Sequence, residues 1–196
     1  MASLKVSQRL EDLGLKFFTS ADYGRVFGLS RASTYKALER YAKQKGIVRL
    51  RNGLYMLPRA KISPLVIANI LYRPSYISYE TALSHHHLIP ESVYAVTSAT
   101  TRRTHELEAD DHGYIYHSIK RGAFTGYRGY KIGDETVMMA EPEKALCDSL
   151  FLVFLKKQEL NDRIDWTKVN RKILSRHARL FKPATFSKWV DHVSDR

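Results

Sequence analysis

Cysteine is nearly absent from this chain of 196 residues, in which Cys147 stands alone. A single cysteine excludes an intrachain disulfide and any cysteine-rich metal site. No apolar run approaches the roughly 20 residues that a membrane-spanning helix needs. The N-terminal segment MASLKVSQRL has charges where a signal peptide has its apolar region. Together these absences predict a cytoplasmic protein that has no membrane partner.

Short catalytic motifs are missing as well. The sequence has no Walker-type phosphate loop, no Gly-x-Ser-x-Gly elbow and no dinucleotide-binding glycine pattern. It also lacks the His-Glu-x-x-His spacing of zinc hydrolases and the Cys/His spacing of zinc fingers. We therefore predict no catalytic residue, no metal and no cofactor.

Acidic residues are scarce at both ends of the chain, so the net charge of +12 is unevenly distributed. Residues 1–60 contain twelve Lys and Arg against four Asp and Glu, a balance of +8. Residues 61–149 contain nine against eleven, and residues 150–196 contain eleven against five. Basic regions attract polyanions through counterion release, which favours a nucleic-acid partner. Charge alone leaves a solvated basic surface as the alternative.

The first 60 residues have the pattern of three helices and a hairpin. Helices are expected over 3–13, from a cap at Thr19 or Ser20 to about Gly28, and from a cap at Ser30 to about Lys45. Strand-forming residues 47–50 and 54–57 flank an Asn-Gly pair, which is typical of a type I′ hairpin turn. This order is that of a winged helix-turn-helix.

The first predicted helix needs a buried face of its own. Val6, Leu10 and Leu13 fall on one side of it at spacings of four and three, and we expect all three to pack inward.

The third predicted helix has two distinct faces when its residues are placed 100° apart. Thr34, Leu38 and Tyr41 share the inward face, with Ala37 and Ala42 beside it. The opposite face is short and polar near its start and mostly basic further along: Ala32, Ser33, Lys36, Glu39, Arg40 and Lys43. A recognition helix presents base-reading residues at its start and phosphate-binding cations along its length in this way.

Double-stranded DNA is therefore the predicted partner of the first domain. We expect base contacts from Arg31, Ser33 and Lys36, because arginine in particular can bind guanine bidentately. The full predicted DNA-binding set is Lys16, Thr19, Ser30, Arg31, Ser33, Lys36, Arg40, Lys43, Arg49, Arg51 and Asn52. A protein-interaction module built on the same fold remains an alternative.

The rest of the chain, 61–196, is predicted to be a mixed α/β domain with C-terminal helices, and the boundary is placed near 59–61. The predicted class of the whole protein is thus α+β. Expected helices span 63–72, 79–87, 142–153, 165–175 and 183–193, and expected strands span 93–98, 114–119, 127–132 and 136–139.

Two basic segments of the second domain are candidate anion-binding surfaces. Thr100, Thr101, Arg102 and Arg103 follow a predicted strand and could form an anion-binding loop. Cations that recur at three- and four-residue spacings near the C-terminus predict a basic helical stripe: Lys168, Arg171, Lys172, Arg176 and Arg179. A solvated turn and a solvated face are the respective alternatives.

Two runs in the second domain are more specific. The first is Ser78-Tyr79-Glu80-Thr81-Ala82-Leu83, and the second is Ala140-Glu141-Pro142-Glu143-Lys144-Ala145-Leu146-Cys147-Asp148. They resemble the AbiEi family, the antitoxin and transcriptional-regulator component of type IV abortive-infection toxin–antitoxin systems. The resemblance extends from the helix-turn-helix to about residue 155. Since the sequence ends soon afterwards, we expect no appended nuclease-like domain of the kind found in longer members.

The resemblance implies two roles. The N-terminal domain would bind inverted repeats in its own promoter and repress the operon. The C-terminal domain would counteract a nucleotidyltransferase-like toxin, and a stable complex with that toxin is not expected. From the residues alone, Pro142 and the neighbouring carboxylates suit a helix start, and Lys144 is expected to pair with a nearby carboxylate.

An enzyme remains the alternative from a different class. His85, His86 and His87 point 100° apart on a helix, so the three cannot easily converge on one ion. Other candidate ligands lie nearby in sequence, namely His105, Asp110, Asp111, His112 and His117. They leave open a metal-dependent nuclease or hydrolase.

Overall fold

A computed structural model describes residues 3–58 and 62–194 of the chain. It has both helices and strands in two sheets, which confirms the predicted α+β class. Two compact units are present: Met1–Ile62 with Ala109–Asp111, and Ser63–Glu108 with His112–Arg196. The boundary predicted at 59–61 lies outside the described residues. No helix in the described part of the chain is long and apolar enough to cross a bilayer.

The first unit contains three helices and a small antiparallel sheet. Its elements are α1 (Ser3–Asp12), β1 (Phe17–Thr19), α2 (Ser20–Phe27), α3 (Arg31–Lys43), β2 (Val48–Arg51) and β3 (Leu54–Met56). The strand order is β1-β3-β2. Strand β1 was not predicted, because three residues are too few to show an alternating pattern; it exists because Phe17 pairs with Met56 and Thr19 with Leu54.

One apolar core joins these elements. Its buried members are Val6, Leu10, Phe18, Tyr23, Leu38, Tyr41, Ile47, Tyr55 and Leu57. The prediction that Leu13 packs with Val6 and Leu10 is wrong, since Leu13 is 46% exposed. Helix α1 ends at Asp12, and Gly14 then adopts a left-handed φ of 66°, so Leu13 leaves the helical face.

Local side-chain contacts set the ends of α2 and α3. The Thr19 hydroxyl accepts a hydrogen bond from the Asp22 backbone N–H, and the Asp22 carboxylate accepts one from the Thr19 N–H, which is a complete capping box. Gly28 ends α2 with a left-handed φ of 62°. The Ser30 hydroxyl caps α3 by accepting from the Ser33 N–H. The cap predicted at Ser30 is therefore confirmed, and of the two predicted alternatives for α2, Thr19 and Ser20, the cap is Thr19.

The hairpin between β2 and β3 differs from the predicted type I′ turn. A type I′ turn needs positive φ at both central residues, but only Gly53 has one, at 75°. The strand register shifts between Arg49 and Arg51, which marks a bulge. An extra residue in β2 and a left-handed glycine thus replace the tight two-residue turn.

The second unit is built around one six-stranded sheet. Its elements are α4 (Pro64–Leu71), β4 (Ser75–Ile77), α5 (Tyr79–His85), β5 (Ala95–Thr100), β6 (His105–Ala109), β7 (His112–Ser118), β8 (Tyr127–Ile132), β9 (Glu135–Ala140), α6 (Pro142–Phe154), α7 (Arg171–Ala178) and α8 (Thr185–Ser194). Short 3-10 turns cover Arg121–Ala123 and Trp166–Lys168. Strands β4 and β6 were not predicted as strands.

The sheet is mixed, with the strand order β6-β7-β5-β4-β9-β8. Strands β5 and β7 are parallel neighbours, paired from Ala95–Gly113 to Thr100–Ser118. Strand β4 is antiparallel to β5 and parallel to β9. Because β5 and β7 run in the same direction, their carboxyl ends meet at one edge of the sheet.

The C-terminal helices begin later than predicted. The helix expected from Asp165 is instead a 3-10 turn, because the Asp165 carboxylate accepts from the Thr167 N–H. Helix α7 starts only at Arg171, after Asn170, whose side chain accepts from two helical N–H groups. Asx caps of this kind compete with the continuation of a helix. Helix α8 starts at Thr185 and not at the predicted Pro183.

Candidate functional site

The outward face of α3 is the clearest candidate surface in the first unit. Thr34, Leu38 and Tyr41 are its buried residues, which confirms the predicted inward row. Ser33, Lys36 and Arg40 are exposed on the opposite side. The periodicity of the helix was sufficient to separate these faces, because an amphipathic helix on a compact core has one buried stripe.

The start of α3 has side-chain contacts that the sequence did not predict. The Ser30 hydroxyl donates to the Ser33 hydroxyl over 3.0 Å, in addition to its role as the cap. The Arg31 guanidinium lies 5.9 Å from the centre of the Tyr35 ring. Tyr35 is 44% exposed and was missed as a candidate. Its i,i+4 spacing from Arg31 was the available signal.

A surface ion pair occupies the end of α3. The Lys43 ammonium lies 3.0 Å from the Glu39 carboxylate, and both side chains are largely exposed. The hydrogen bond from Lys43 lowers the pKa of Glu39. This pair reduces the positive charge that Lys43 would present on the outward face.

Two arginines converge on the tip of the β2–β3 hairpin. Arg49 Nη2 donates to the Asn52 side-chain oxygen over 3.2 Å. Arg51 Nη1 donates to the Asn52 backbone oxygen, also over 3.2 Å. Asn52 therefore holds both guanidinium groups close to the exposed turn, where further N–H donors remain for an external acceptor.

Thr19 and Lys16 lie near the start of α2, and both are exposed. The Thr19 hydroxyl is engaged with Asp22, to which it donates over 2.7 Å. Hydrogen bonds from Thr19 are the main cause of the lowered pKa of Asp22, which also pairs with Arg25. Thr19 thus has a structural role as a cap. All eleven residues of the predicted DNA-binding set belong to the first unit and are exposed.

The second unit has a buried polar centre at Asp148. Its carboxylate accepts from the Tyr76 hydroxyl over 3.0 Å and from the Ser78 hydroxyl over 2.7 Å. It also forms an ion pair with Lys144, and both charged side chains are fully buried. The expected partner of Lys144 is thus identified as Asp148. Through these contacts the two sequence runs that resemble the AbiEi family meet in space.

Aromatic rings and a histidine enclose this ion pair. The Lys144 ammonium lies 5.7 Å from the Tyr76 ring centre and 4.8 Å from that of Phe181. Gly126, at a φ of 74°, leaves no room for a side chain, because a Cβ there would lie 2.5 Å from His177 Cε1. Burial, and then the charge of Lys144, lower the pKa of His177. Hydrogen bonds from Tyr76 and Ser78 to Asp148 connect α6 to β4 and the residue that follows it. Because neither Lys144 nor Asp148 is accessible to solvent, the ion pair is not placed to meet a substrate.

The histidines do not gather as a metal site would require. His85 and His86 pack against Tyr130, and His86 Nε2 lies 2.8 Å from the Ala140 backbone oxygen. His117 packs edge-on against Tyr79. The described residues contain no group of three or more His, Cys, Asp or Glu side chains that could hold an ion.

The predicted anion-binding loop after β5 is largely engaged with the protein itself. The Thr100 hydroxyl donates to the Pro74 oxygen over 2.7 Å and is buried. The Arg102 guanidinium lies 4.1 Å from the Tyr72 ring centre and donates to the Arg73 oxygen. Arg103 is exposed. The four residues therefore do not form one open loop site.

The predicted C-terminal stripe is shorter than expected. Lys168 lies on the separate 3-10 turn, where its ammonium donates to the His87 oxygen and pairs with Asp165. Lys172, Arg176 and Arg179 are exposed and fall within about 60° of one another around α7. Arg171 begins the helix about 100° away from Lys172.

Comparison with known proteins adds no relative. The chain matches no protein-family model, and a search of curated proteins finds no significant match.

Proposed function

We propose that the first unit is a winged helix-turn-helix that binds double-stranded DNA. The observation that carries this proposal is the exposed outward face of α3, with Ser33, Lys36 and Arg40 opposite the buried row. The β2–β3 hairpin follows α3 in the chain, and Arg49 and Arg51 at its tip add a second cationic surface. According to this proposal, α3 enters the major groove of DNA, and the hairpin contacts the DNA backbone or the minor groove.

The contacts divide by chemistry. Arg31, at the start of α3, is suited to bidentate recognition of guanine, and its guanidinium lies within cation–π distance of Tyr35. Arg40 is suited to the phosphates that flank the groove, and Lys36, predicted from the sequence to contact bases, can also reach a phosphate because its ammonium is less selective. The Ser30 and Ser33 hydroxyls are engaged with the cap, so they contribute through the ordered helix start more than as free donors.

A salt series on DNA from upstream of the protein's own gene tests this proposal. Fluorescence anisotropy of a labelled duplex should show specific binding that weakens steeply with salt. Replacing Lys36→Ala and Arg40→Ala together should lower the affinity roughly 10- to 100-fold and reduce the salt slope by about two.

A matched double variant separates a specific surface from diffuse charge. Lys5→Ala with Arg9→Ala removes two exposed cations from α1 and should change the affinity by less than about threefold. Equal losses in the two double variants would refute α3 as the recognition helix. A folded wild-type protein that binds no duplex would instead favour the protein-interaction module.

We further propose that the protein is a cytoplasmic autorepressor and antitoxin of a type IV toxin–antitoxin system. It would recognise inverted repeats in its own promoter, and its second unit would counteract a nucleotidyltransferase-like toxin without a stable complex. What supports this is that the two runs resembling the AbiEi family come together at Asp148, through Ser78 and Lys144.

Co-expression tests the antitoxin role separately from DNA binding. A nucleotidyltransferase-like gene immediately downstream should arrest growth when expressed alone, and co-expression of this protein should restore growth. The Lys36→Ala, Arg40→Ala variant should still restore growth, whereas Asp148→Asn should not, because it destabilises the second unit. Failure of the wild-type protein to protect would overturn the antitoxin proposal, and a co-purifying equimolar complex would overturn its mode of action.

A further inference from the structure

We propose that the second unit binds a nucleotide in a basic pocket at the carboxyl ends of β5 and β7. This proposal concerns the second unit alone and does not rest on the proposed DNA binding by the first unit. The pocket has a volume of about 520 Å³. Its lining consists of Thr101, Ser118, Ile119, Lys120, Arg121, Phe151, Leu155, Phe181 and Lys182.

The position of the pocket follows from the sheet. Strands β5 and β7 are adjacent and parallel, and Thr100 pairs with Ser118 at their ends. The Ile119 N–H donates to the Thr100 oxygen over 2.8 Å, so the ends of β5 and β7 remain hydrogen-bonded up to the residues that line the pocket. The pocket thus lies outside the carboxyl ends of one parallel strand pair of a mixed sheet, the side on which parallel α/β sheets bind their ligands.

The charges of the pocket select an anion. Lys120 and Arg121 come from the segment after β7, and Lys182 comes from the segment between α7 and α8. The lining has no acidic residue. Among the described residues, no carboxylate forms an ion pair with any of these three cations. Three cations that line one pocket without a carboxylate partner suit the charge of a phosphate group.

The hydroxyls at the strand ends complete the polar side of the pocket. Thr101 is half-buried and Ser118 is exposed, and both line the pocket beside the cations. Each hydroxyl can donate one hydrogen bond to a phosphate oxygen. A phosphate monoester has several oxygens that accept hydrogen bonds, and the pocket offers both charged and neutral donors to them.

The apolar side of the pocket selects a ligand larger than inorganic phosphate. Phe151 and Phe181 pack with ring centres 4.7 Å apart, and Leu155 is 41% exposed beside them. Phe181 also contacts the buried Lys144, which anchors this floor to the centre of the unit. Phe181 is itself buried, so the accessible apolar surface comes from Leu155 and the half-buried Phe151. Inorganic phosphate would leave this surface uncovered, whereas a base can pack on it.

Calorimetry with the full chain tests the proposal. The ligands are nucleoside 5′-monophosphates, the matching nucleosides, inorganic phosphate and a short 5′-phosphorylated single strand. A monophosphate should bind at least about tenfold more tightly than its nucleoside or phosphate alone. If the single strand binds more tightly than the monophosphate, the natural ligand is a strand end; the reverse order identifies a free nucleotide.

Single variants locate the binding site. Arg121→Gln and Lys182→Gln should each weaken monophosphate binding about tenfold. Lys188→Gln removes an exposed cation of α8 outside the pocket and should have no effect. Leu155→Ala should weaken monophosphate binding and leave phosphate binding unchanged.

The proposal is overturned by any of three results. The first is no binding of any monophosphate at about 1 mM, a concentration at which a site with a Kd of about 1 mM is half occupied. The second is an equal loss from Lys188→Gln and Lys182→Gln, which would show only general charge attraction. The third is a Leu155→Ala variant that binds a monophosphate as tightly as the wild-type protein, which would show that the base does not contact the pocket floor. Circular dichroism of each variant verifies that it is folded.

Discussion

Two lysine–carboxylate pairs with the same i,i+4 spacing lie in opposite environments. Glu39 and Lys43 pair on the outer face of α3 with side chains 67% and 77% exposed. Lys144 and Asp148 pair on α6 with both side chains fully buried. Spacing on a helix is therefore enough to bring the charges together, but it does not say whether water surrounds them.

The difference in burial changes what each pair does. Water and salt screen the exposed pair, so it contributes little to stability and mainly modifies the charge offered to a ligand. The buried pair has lost its hydration, and removing one partner leaves an uncompensated charge in the interior. Hydrogen bonds from Tyr76 and Ser78 to Asp148 offset part of that desolvation.

Breaking the buried pair should have the largest effect. Asp148→Asn keeps the shape of the side chain but leaves the Lys144 ammonium buried without a counter-charge. We expect the free energy of unfolding to fall by about 3–5 kcal/mol. Urea titration followed by tryptophan fluorescence measures this in the second unit, because Trp166 and Trp189, the two tryptophans of the chain, both belong to it.

A double variant distinguishes charge from shape. Lys144→Met with Asp148→Asn removes both charges while the amide oxygen still accepts from Tyr76 and Ser78. Most of the lost stability should return, since an uncharged, well-packed replacement of a buried pair is often neutral. A single Asp148→Asn variant within about 1 kcal/mol of the wild-type protein would show that the pair is not a structural centre.

Acidification should affect the second unit next most strongly. All eight histidines lie in that unit, and burial lowers the pKa of His86, His117 and His177. Unfolded histidines titrate at about 6.5, so the unfolded chain takes up protons first as the pH falls. Stability should be constant above about pH 6.5 and decrease below it, by up to about 1.4 kcal/mol per pH unit for His177.

Urea midpoints between pH 7 and 5.5 measure this decrease, with His177→Gln expected to reduce the slope. Glu80 acts in the opposite direction at lower pH, because burial raises its pKa and its protonation favours the folded state. Amide resonances of α3 provide the control, since the first unit has no histidine. A second unit that becomes more stable from pH 7 to 5.5 would contradict the assignment of buried neutral histidines.

Removing the side-chain cap at Thr19 should lower stability by a smaller amount, because the cap is exposed. Thr19→Ala removes the capping box of α2 and should cost about 1 kcal/mol, whereas Thr19→Asn retains a capping oxygen and should cost less. Thermal melts of the two variants by circular dichroism measure the difference. Equal stability of Thr19→Ala and the wild-type protein, with weaker DNA binding, would instead assign Thr19 to a phosphate.

Glu39→Gln should have the smallest effect. The change removes the acidic residue of the outward face and frees Lys43, so DNA affinity should rise by about two- to fivefold. The unfolding midpoint should stay the same, since the pair is exposed. Glu11→Gln, at an exposed position of α1, makes the same change in net charge and serves as the control. Equal gains in the two variants would attribute the effect to overall charge.

In both units, how far the structure could be predicted depended on whether a feature is set by nearby residues. In the first unit, the inward row of α3 and the cap at Ser30 followed from spacing and residue type, while the cap of α2 was narrowed to Thr19 or Ser20. Strands β1 and β4, of three residues each, could not be predicted because only their pairing partners stabilise them. The nucleotide pocket was not predicted either, apart from Thr101, since Lys120 and Lys182 are distant in sequence.

The amino-acid sequence by itself determined the uneven charge, the faces of α3 and the caps of the early helices. These depend on residues within one or two turns of each other, so local geometry is sufficient. Only the tertiary structure decided that Ser78 lies against Asp148, 70 residues later, and that this carboxylate is buried. That contact depends on how β4 and α6 pack, and burial then determines whether a charge serves the fold or faces a ligand.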